Sequence, residues 1–255
     1  QHSEAIIGIG DAILAAGEAR HMHRKTGAKV YIRRRDHKPQ WFDVWDNIPY
    51  ILRRPTPGCE IIVHGGGQRP YIDAKAADRW TWKRYSPHPA EIAFTPAELA
   101  FAAPHAGRVM IEPNGKNIGH LNKQWGMLRW IEVVRSCPEI QFVQCGAGDQ
   151  PWLMEPNVKH VVTPSFRHAA AVLAASRALL SNEGGLVHAA AAVGVRAVVP
   201  YGGFIGPSVI GYAMHRNLFT GTGLGCGMRT NCQHCVKCMA RITPAEIVSN
   251  LKEIL

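Results

Sequence analysis

The sequence predicts an α/β fold built on parallel sheets, arranged as two successive units that share a cleft. Short apolar runs ending in glycine or an acid alternate with alanine-rich or amphipathic stretches, the pattern of parallel strands covered by helices. That alternation breaks at Pro104 to Gly107 and restarts at Arg108. At 255 residues the chain is long enough for two small cores. The expected division is 1–107, 108–242 and a terminal helix over 243–255 that packs back on the first unit.

The first unit opens with Ala5-Ile6-Ile7-Gly8-Ile9-Gly10-Asp11, read as a strand, a tight turn and the start of a helix over Ala12 to Lys25. Lys29 to Ile32 and Glu60 to His64 read as further strands, the latter running into Gly65-Gly66-Gly67. The aromatic, proline-broken stretches Trp41 to Leu52 and Trp80 to Pro89 carry no clear period. In the second unit, Arg108 to Ile111 is a strand and Lys123 to Arg135 a helix, with Met127, Trp130, Ile131 and Val134 on one face. Gln141 to Gln144, Val161-Val162, Ala178 to Leu180 and Ala197 to Val199 read as strands. Phe166 to Ser176 and Leu186 to Val193 read as the helices between them. Thr243, Pro244 and Glu246 form the N-cap, first position and N3 acid of a last helix.

The composition, 46% hydrophobic and 19% charged, excludes a disordered or collagen-like chain. No run of apolar residues is long enough to span a bilayer, and the first residues lack the layout of a signal peptide, so a cytoplasmic protein, at most touching the inner membrane surface, is expected. A net charge of +10 favours an anionic partner. The basic residues concentrate in the first third, in Arg20 to Lys25, Arg33 to Lys38, Arg53-Arg54 and Lys83-Arg84. They suit either a solvated face or a surface for phosphates.

Two segments have the makings of a site. Gly8-Ile9-Gly10-Asp11 places glycines after a strand, where backbone can approach a ligand, and an acid at a helix start. Asp11 is then either a helix N-cap or a general base toward a hydroxyl. Ser181-Asn182-Glu183-Gly184-Gly185-Leu186-Val187-His188 follows a buried strand. Gly184 and Gly185 can offer N–H groups to phosphate, and Glu183 can accept from sugar or ribose hydroxyls. His188 is either a ligand-facing group or a core histidine bonded to backbone.

Together these segments resemble glycosyltransferase family nine, which includes the lipopolysaccharide heptosyltransferases. The match runs through Gly10-Asp11-Ala12-Ile13-Leu14, Lys123-Gln124-Trp125, Gly146-Ala147-Gly148-Asp149, Glu183 to His188, Ala197 to Gly203, and Cys238-Met239 with Ile242-Thr243. The resemblance implies a GT-B fold, two facing Rossmann-like domains, with the nucleotide-sugar donor held by the second and the acceptor by the first. It implies Asp11 as catalytic base, and Gly10, Lys123, Gly146, Asp149, Glu183, Gly184, Gly185 and His188 around the donor. It also implies an inverting transfer that requires no metal for chemistry. Two departures stand out: the first unit is reduced, and Glu183 stands where the family has Asp. The expected acceptor is an anionic glycolipid such as a lipopolysaccharide core glycan. The alternatives are a modified base in phage-type DNA, for which the basic clusters and Trp41, Trp45, Trp80 and Trp82 are suited, and a non-catalytic nucleic-acid-binding module with a vestigial donor fold.

Of seven cysteines, Cys226, Cys232, Cys235 and Cys238 crowd into thirteen residues with His234 among them. That crowding suits a structural zinc or iron site, or else free thiols or a disulfide.

Overall fold

The computed structural model describes residues 8–37, 39–64, 69–115 and 121–255; of the expected features, the first strand at Ala5 to Ile7, Lys38 and the Gly65 to Gly67 loop lie outside them. Helix α1 (Ile9–Thr26) leads into β1 (Val30–Arg33), β2 (Ile51–Leu52), β3 (Glu60–Val63), β4 (Ile72–Lys75) and β5 (Trp80–Trp82). A connection through α2 (Pro96–Ala102) reaches the second unit. This runs β6 (Val109–Glu112), α3 (Met127–Arg135), β7 (Phe142–Gly146), β8 (Val158–Val162), α4 (Phe166–Ala174), β9 (Ala178–Ser181), α5 (Gly185–Ala192), β10 (Ala197–Tyr201), α6 (Pro207–Ile210), β11 (Arg216–Phe219), α7 (Gln233–Arg241) and α8 (Pro244–Ile254).

Two sheets are parallel throughout their described pairings. The small one has the order β2-β1-β3, and the large one β11-β10-β9-β6-β7-β8. In the large sheet the chain leaves β6 toward β7 and β8, then returns to lay β9 on the other side of β6. The order therefore reverses between β6 and β9, and ligands of open α/β sheets bind beyond the strand ends at such a point. β4 and β5 make a separate antiparallel hairpin with a bulge near Ile72 and Ala74. Its second strand, β5, opens the aromatic stretch from Trp80 that carries no period.

Successive residues of each strand point to opposite faces, so the large sheet is buried on both sides. Met110, Val143, Cys145 and Leu179 face a core shared with α1, α4, α5 and the first unit. Val109, Ile111, Phe142 and Leu180 face a second core made with Trp125, Trp130 and α8. α8 has the expected capping box between Thr243 and Glu246. Its packing differs from expectation: among the described residues, Ile247, Leu251 and Ile254 bury against the second unit, where they extend the apolar layer that α3 leaves over β9 and β10.

α1 and α5 cross with their N-terminal ends almost touching. A Cβ on Gly185 would come within 2.7 Å of Ile9, and one on Gly10 within 3.0 Å of the His188 ring and 3.4 Å of Gly185. Glycine at both positions allows this approach. On the far side, Arg167 of α4 makes a bidentate pair with Glu98 of α2, at 2.6 and 2.8 Å, and also donates to the carbonyls of Asp43 and Ala93. These bonds hold the Glu98 carboxyl down at about 2. No described helix is long and apolar enough to cross a membrane.

Candidate active site

The crevice beyond the carboxyl ends of β6, β7 and β9 is a cavity of about 630 Å³. α1 and the hairpin β4–β5 close its other side. Gly10, Asp11, Lys123, Gly146, Glu183, Gly184, Gly185 and His188 all line it. Asp149 does not: it is exposed in the turn after β7, while Gln150 folds back over Gly146 and donates to the Cys145 carbonyl.

Asp11 lies in the first turn of α1 and is not its N-cap, a place taken by Gly8. The helix starts three residues earlier than the sequence suggested, which turns the carboxylate from a capping position toward the cavity. Tyr71 donates its hydroxyl to Asp11 Oδ1 at 2.7 Å, and Arg69 Nε pairs with Oδ2 at 2.8 Å. Burial, and then the Asp11 charge, push the Tyr71 phenol well above its ordinary range, so it remains a donor. The carboxylate is thus oriented by two groups from the hairpin, and each oxygen keeps a lone pair for a further proton donor.

The hairpin is in turn fastened to the second unit. Trp82 Nε1 donates to the Phe204 carbonyl at 2.8 Å, and the Trp80 N–H donates to the Gly227 carbonyl at 2.9 Å. Neither Arg69 nor Tyr71 carries a local sequence signal, because their importance arises from contacts about sixty residues away along the chain.

On the opposite wall, Lys123 Nζ pairs with Glu183 Oε2 and lies 5.2 Å from the centre of the Phe204 ring. The spacing of Lys123, Trp125 and Asn182 explains how the lysine is placed. Trp125 N–H donates to Asn182 Oδ1, Asn182 Nδ2 donates to the Pro113 carbonyl, and the Trp125 indole donates to the Ile242 carbonyl. A lysine two residues before a buried tryptophan is thereby held at the end of β9. Gly184 and Gly185 lead into the N-terminus of α5, where unpaired N–H groups and the helix dipole favour an anion. His188 is buried, with Nδ1 3.1 Å from the Tyr212 hydroxyl. Burial lowers its pKa, so it stays neutral at physiological pH.

Glu112, at the end of β6 and opposite Ser181 of β9, also lines the cavity. Its Oε1 accepts from the Asn114 N–H at 2.8 Å. Burial pushes its carboxyl up to about 7. Sequence reasoning ended this strand at Ile111; an acid closing the central strand of the unit was the signal that could have found it.

All seven cysteines are thiols. The ligand atoms of Cys226, Cys232, His234 and Cys235 lie within 4.8 Å of one another. Cys238 lies outside that group, one turn along α7, with its Sγ 3.5 Å from His234 Nε2. The compact donor set is therefore three thiols and one imidazole. The same loop is bound to the segment carrying Lys123: Cys232 N–H donates to Asn122 Oδ1, and Asn122 Nδ2 donates to the carbonyls of Met228 and Thr230.

Two parallel-sheet units meeting over a cleft at the strand ends make a GT-B-type fold, like that of a solved family 9 glycosyl transferase. Among solved structures, the chain is similar to a family 9 glycosyl transferase from Veillonella parvula DSM 2008, with a TM-score of 0.63 and 13% identity over 97% of this chain and 94% of that one. It is also similar to TibC, an iron-containing dodecameric glycosyltransferase of enterotoxigenic E. coli H10407, with a TM-score of 0.57 and 11% identity over 97% and 76%. TibC has also been solved in complex with ADP-D-β-D-heptose. For the E. coli ADP-heptose heptosyltransferase II the TM-score is 0.50 and the identity 17%, over 64% of this chain. The chain aligns with only 53% of the length of that enzyme. No family model and no curated protein sequence matches, so the likeness is one of fold.

Proposed function

We propose that this protein is a glycosyltransferase that moves a sugar from a nucleotide-sugar, held by the second unit, to a hydroxyl of an anionic acceptor such as a lipopolysaccharide core glycan, held by the first. The observation that carries this reading is the convergence of Asp11, Lys123, Glu183, the Gly184-Gly185 turn and His188 on one cavity at the reversal point of the sheet. Asp11 takes the proton of the attacking hydroxyl as the new bond to the anomeric carbon forms. The bond from that carbon to the nucleotide diphosphate breaks on the opposite face, and the configuration inverts. The lysine ammonium and the N–H groups at the start of α5 offset the charge that gathers on the leaving diphosphate. Lys123 retains donors beyond the one directed at Glu183. Glu183 then serves two purposes, holding the lysine in place and accepting from a donor hydroxyl. With these groups on the diphosphate, the reading assigns no metal to the chemical step, in keeping with the resemblance.

A calorimetric screen of ADP-, UDP-, GDP- and CMP-sugars tests the donor site. One nucleotide class is expected to bind the wild type, and Glu183→Ala to weaken it by at least about tenfold, the worth of one or two hydrogen bonds to a charged group. ADP-sugars head the screen because TibC has been solved with one. Absence of binding by all four refutes the donor assignment.

We further assign Cys226, Cys232, His234 and Cys235 to one structural metal ion. Three soft sulfur donors with one imidazole nitrogen suit tetrahedral Zn²⁺ or iron, and TibC is described as iron-containing. Bound there, the ion would brace the loop that fastens both Trp80 and Asn122, and so the positions of the hairpin and of Lys123. Elemental analysis is expected to find one metal per chain, and Cys235→Ser to lose it together with several degrees of melting temperature. Metal-free protein with intact thiols and an unchanged melting temperature overturns the assignment.

A further inference from the structure

A second cavity, of about 570 Å³, lies on the first unit behind the hairpin. Its walls bring together Arg35, Arg69, Lys75 and Lys83, from three separate stretches of chain, against two acids, Glu18 and Asp73. Glu18 already accepts from the Tyr85 hydroxyl. Arg69 lines both this cavity and the active-site cavity, so the two are joined through the residue that pairs with Asp11.

The cations are crowded. Arg69, Lys75 and Arg229 lie 5.2, 5.7 and 5.0 Å from the centre of the Trp80 ring. Burial and then the Arg69 charge lower the pKa of Lys75, the sign of positive groups held close together. His64, which also lines the cavity, is 2% exposed, and its buried Nε2 has no hydrogen-bond partner among the described residues. Burial is the largest influence on this imidazole and lowers its pKa.

We infer that this second cavity is an anion subsite for a phosphate monoester on a sugar of the acceptor, held by Lys75, Lys83, Arg35 and the guanidinium face of Arg69 that is not turned to Asp11. The inference rests on the transferase reading and names its acceptor chemistry. Donors converging from three stretches of the chain suit the tetrahedral array of phosphoryl oxygens better than a planar carboxylate, which one arginine satisfies alone. The volume admits one phosphorylated sugar residue. Because Arg69 bridges the cavities, a phosphate seated there sets how far the neighbouring sugar hydroxyl reaches toward Asp11.

The test is calorimetric titration of glucose 6-phosphate, with glucose as control, into protein saturated with ADP so that the donor phosphate site is filled. One sugar phosphate is expected to bind per chain, and glucose not at all. The double variant Lys75→Ala/Lys83→Ala is expected to weaken binding by at least about tenfold, while Lys75→Arg/Lys83→Arg retains it, which separates charge from folding. Binding that disappears when ADP is present, or that the double alanine variant leaves unchanged, overturns the inference. So does a short DNA duplex that displaces the sugar phosphate and binds more tightly through the same lysines. If ADP itself does not bind but the sugar phosphate does, with the same dependence on the lysines, the donor reading fails and the subsite stands.

Discussion

Asp11→Asn is expected to lower turnover by about 10²- to 10⁴-fold, the usual worth of a positioned general base, while donor affinity changes little. The substitution is close to isosteric. Asparagine keeps an oxygen for the Tyr71 hydroxyl and loses the charge that pairs with Arg69. Deficient turnover with an intact donor isotherm and an unchanged circular dichroism spectrum identifies a chemical role. A variant with wild-type turnover would move the base elsewhere in the cavity. Donor affinity is the discriminating readout, because Glu183 and Lys123, which are assigned to the donor, stand on the opposite wall from Asp11.

Glu112→Gln is expected to stabilise the protein at pH 8 by about 2 kcal/mol, with the gain disappearing near pH 4.5. The Glu112 carboxyl is raised from an ordinary 4.5 to about 7 by burial. Below pH 4.5 it is protonated in both folded and unfolded chains and costs nothing. Between 4.5 and 7 only the unfolded chain releases its proton, so wild-type stability falls as pH rises, and it levels off once the folded carboxyl has ionised. The full difference in pKa corresponds to about 3 kcal/mol, reduced here because the carboxyl borders an open cavity. Glutamine keeps the oxygen that accepts from Asn114 and has no charge to bury. Denaturation midpoints of the two proteins across pH 4.5 to 8 measure the effect, and parallel curves would refute it.

The second unit was largely legible in the sequence because its structure is local and repetitive. Apolar strands, alanine-rich helices, the Thr243 capping box and the Glu183 to His188 segment all announce themselves within a few residues. The donor half of the cavity follows from the same segments. The hairpin was not legible, because Trp80 and Trp82 are ordered by carbonyls of Gly227 and Phe204, more than a hundred residues away. For the same reason Arg69 and Tyr71 gave no sign of their hold on Asp11. The cysteine spacing drew attention to four thiols, whereas the helical turn of α7 brings His234 into the compact group and leaves Cys238 beside it. Asp149 fits a family motif in sequence yet is exposed outside the cavity, since a linear pattern does not say which way a turn presents its side chains.

The near-contact of Gly10 with Gly185 bears on how the protein comes apart as well as on its chemistry. Ala12, Ile13 and Leu14 from one unit share a single apolar core with Val187, Ala189 and Ala190 from the other, and the Arg167–Glu98 pair fastens the same boundary elsewhere. The core on the face of the large sheet turned to the first unit is built by both halves, so they are not interchangeable modules. Heat or denaturant should meet one cooperative object, and a recombinant exchange of either half between homologues would need the glycines and the facing alanines to travel together.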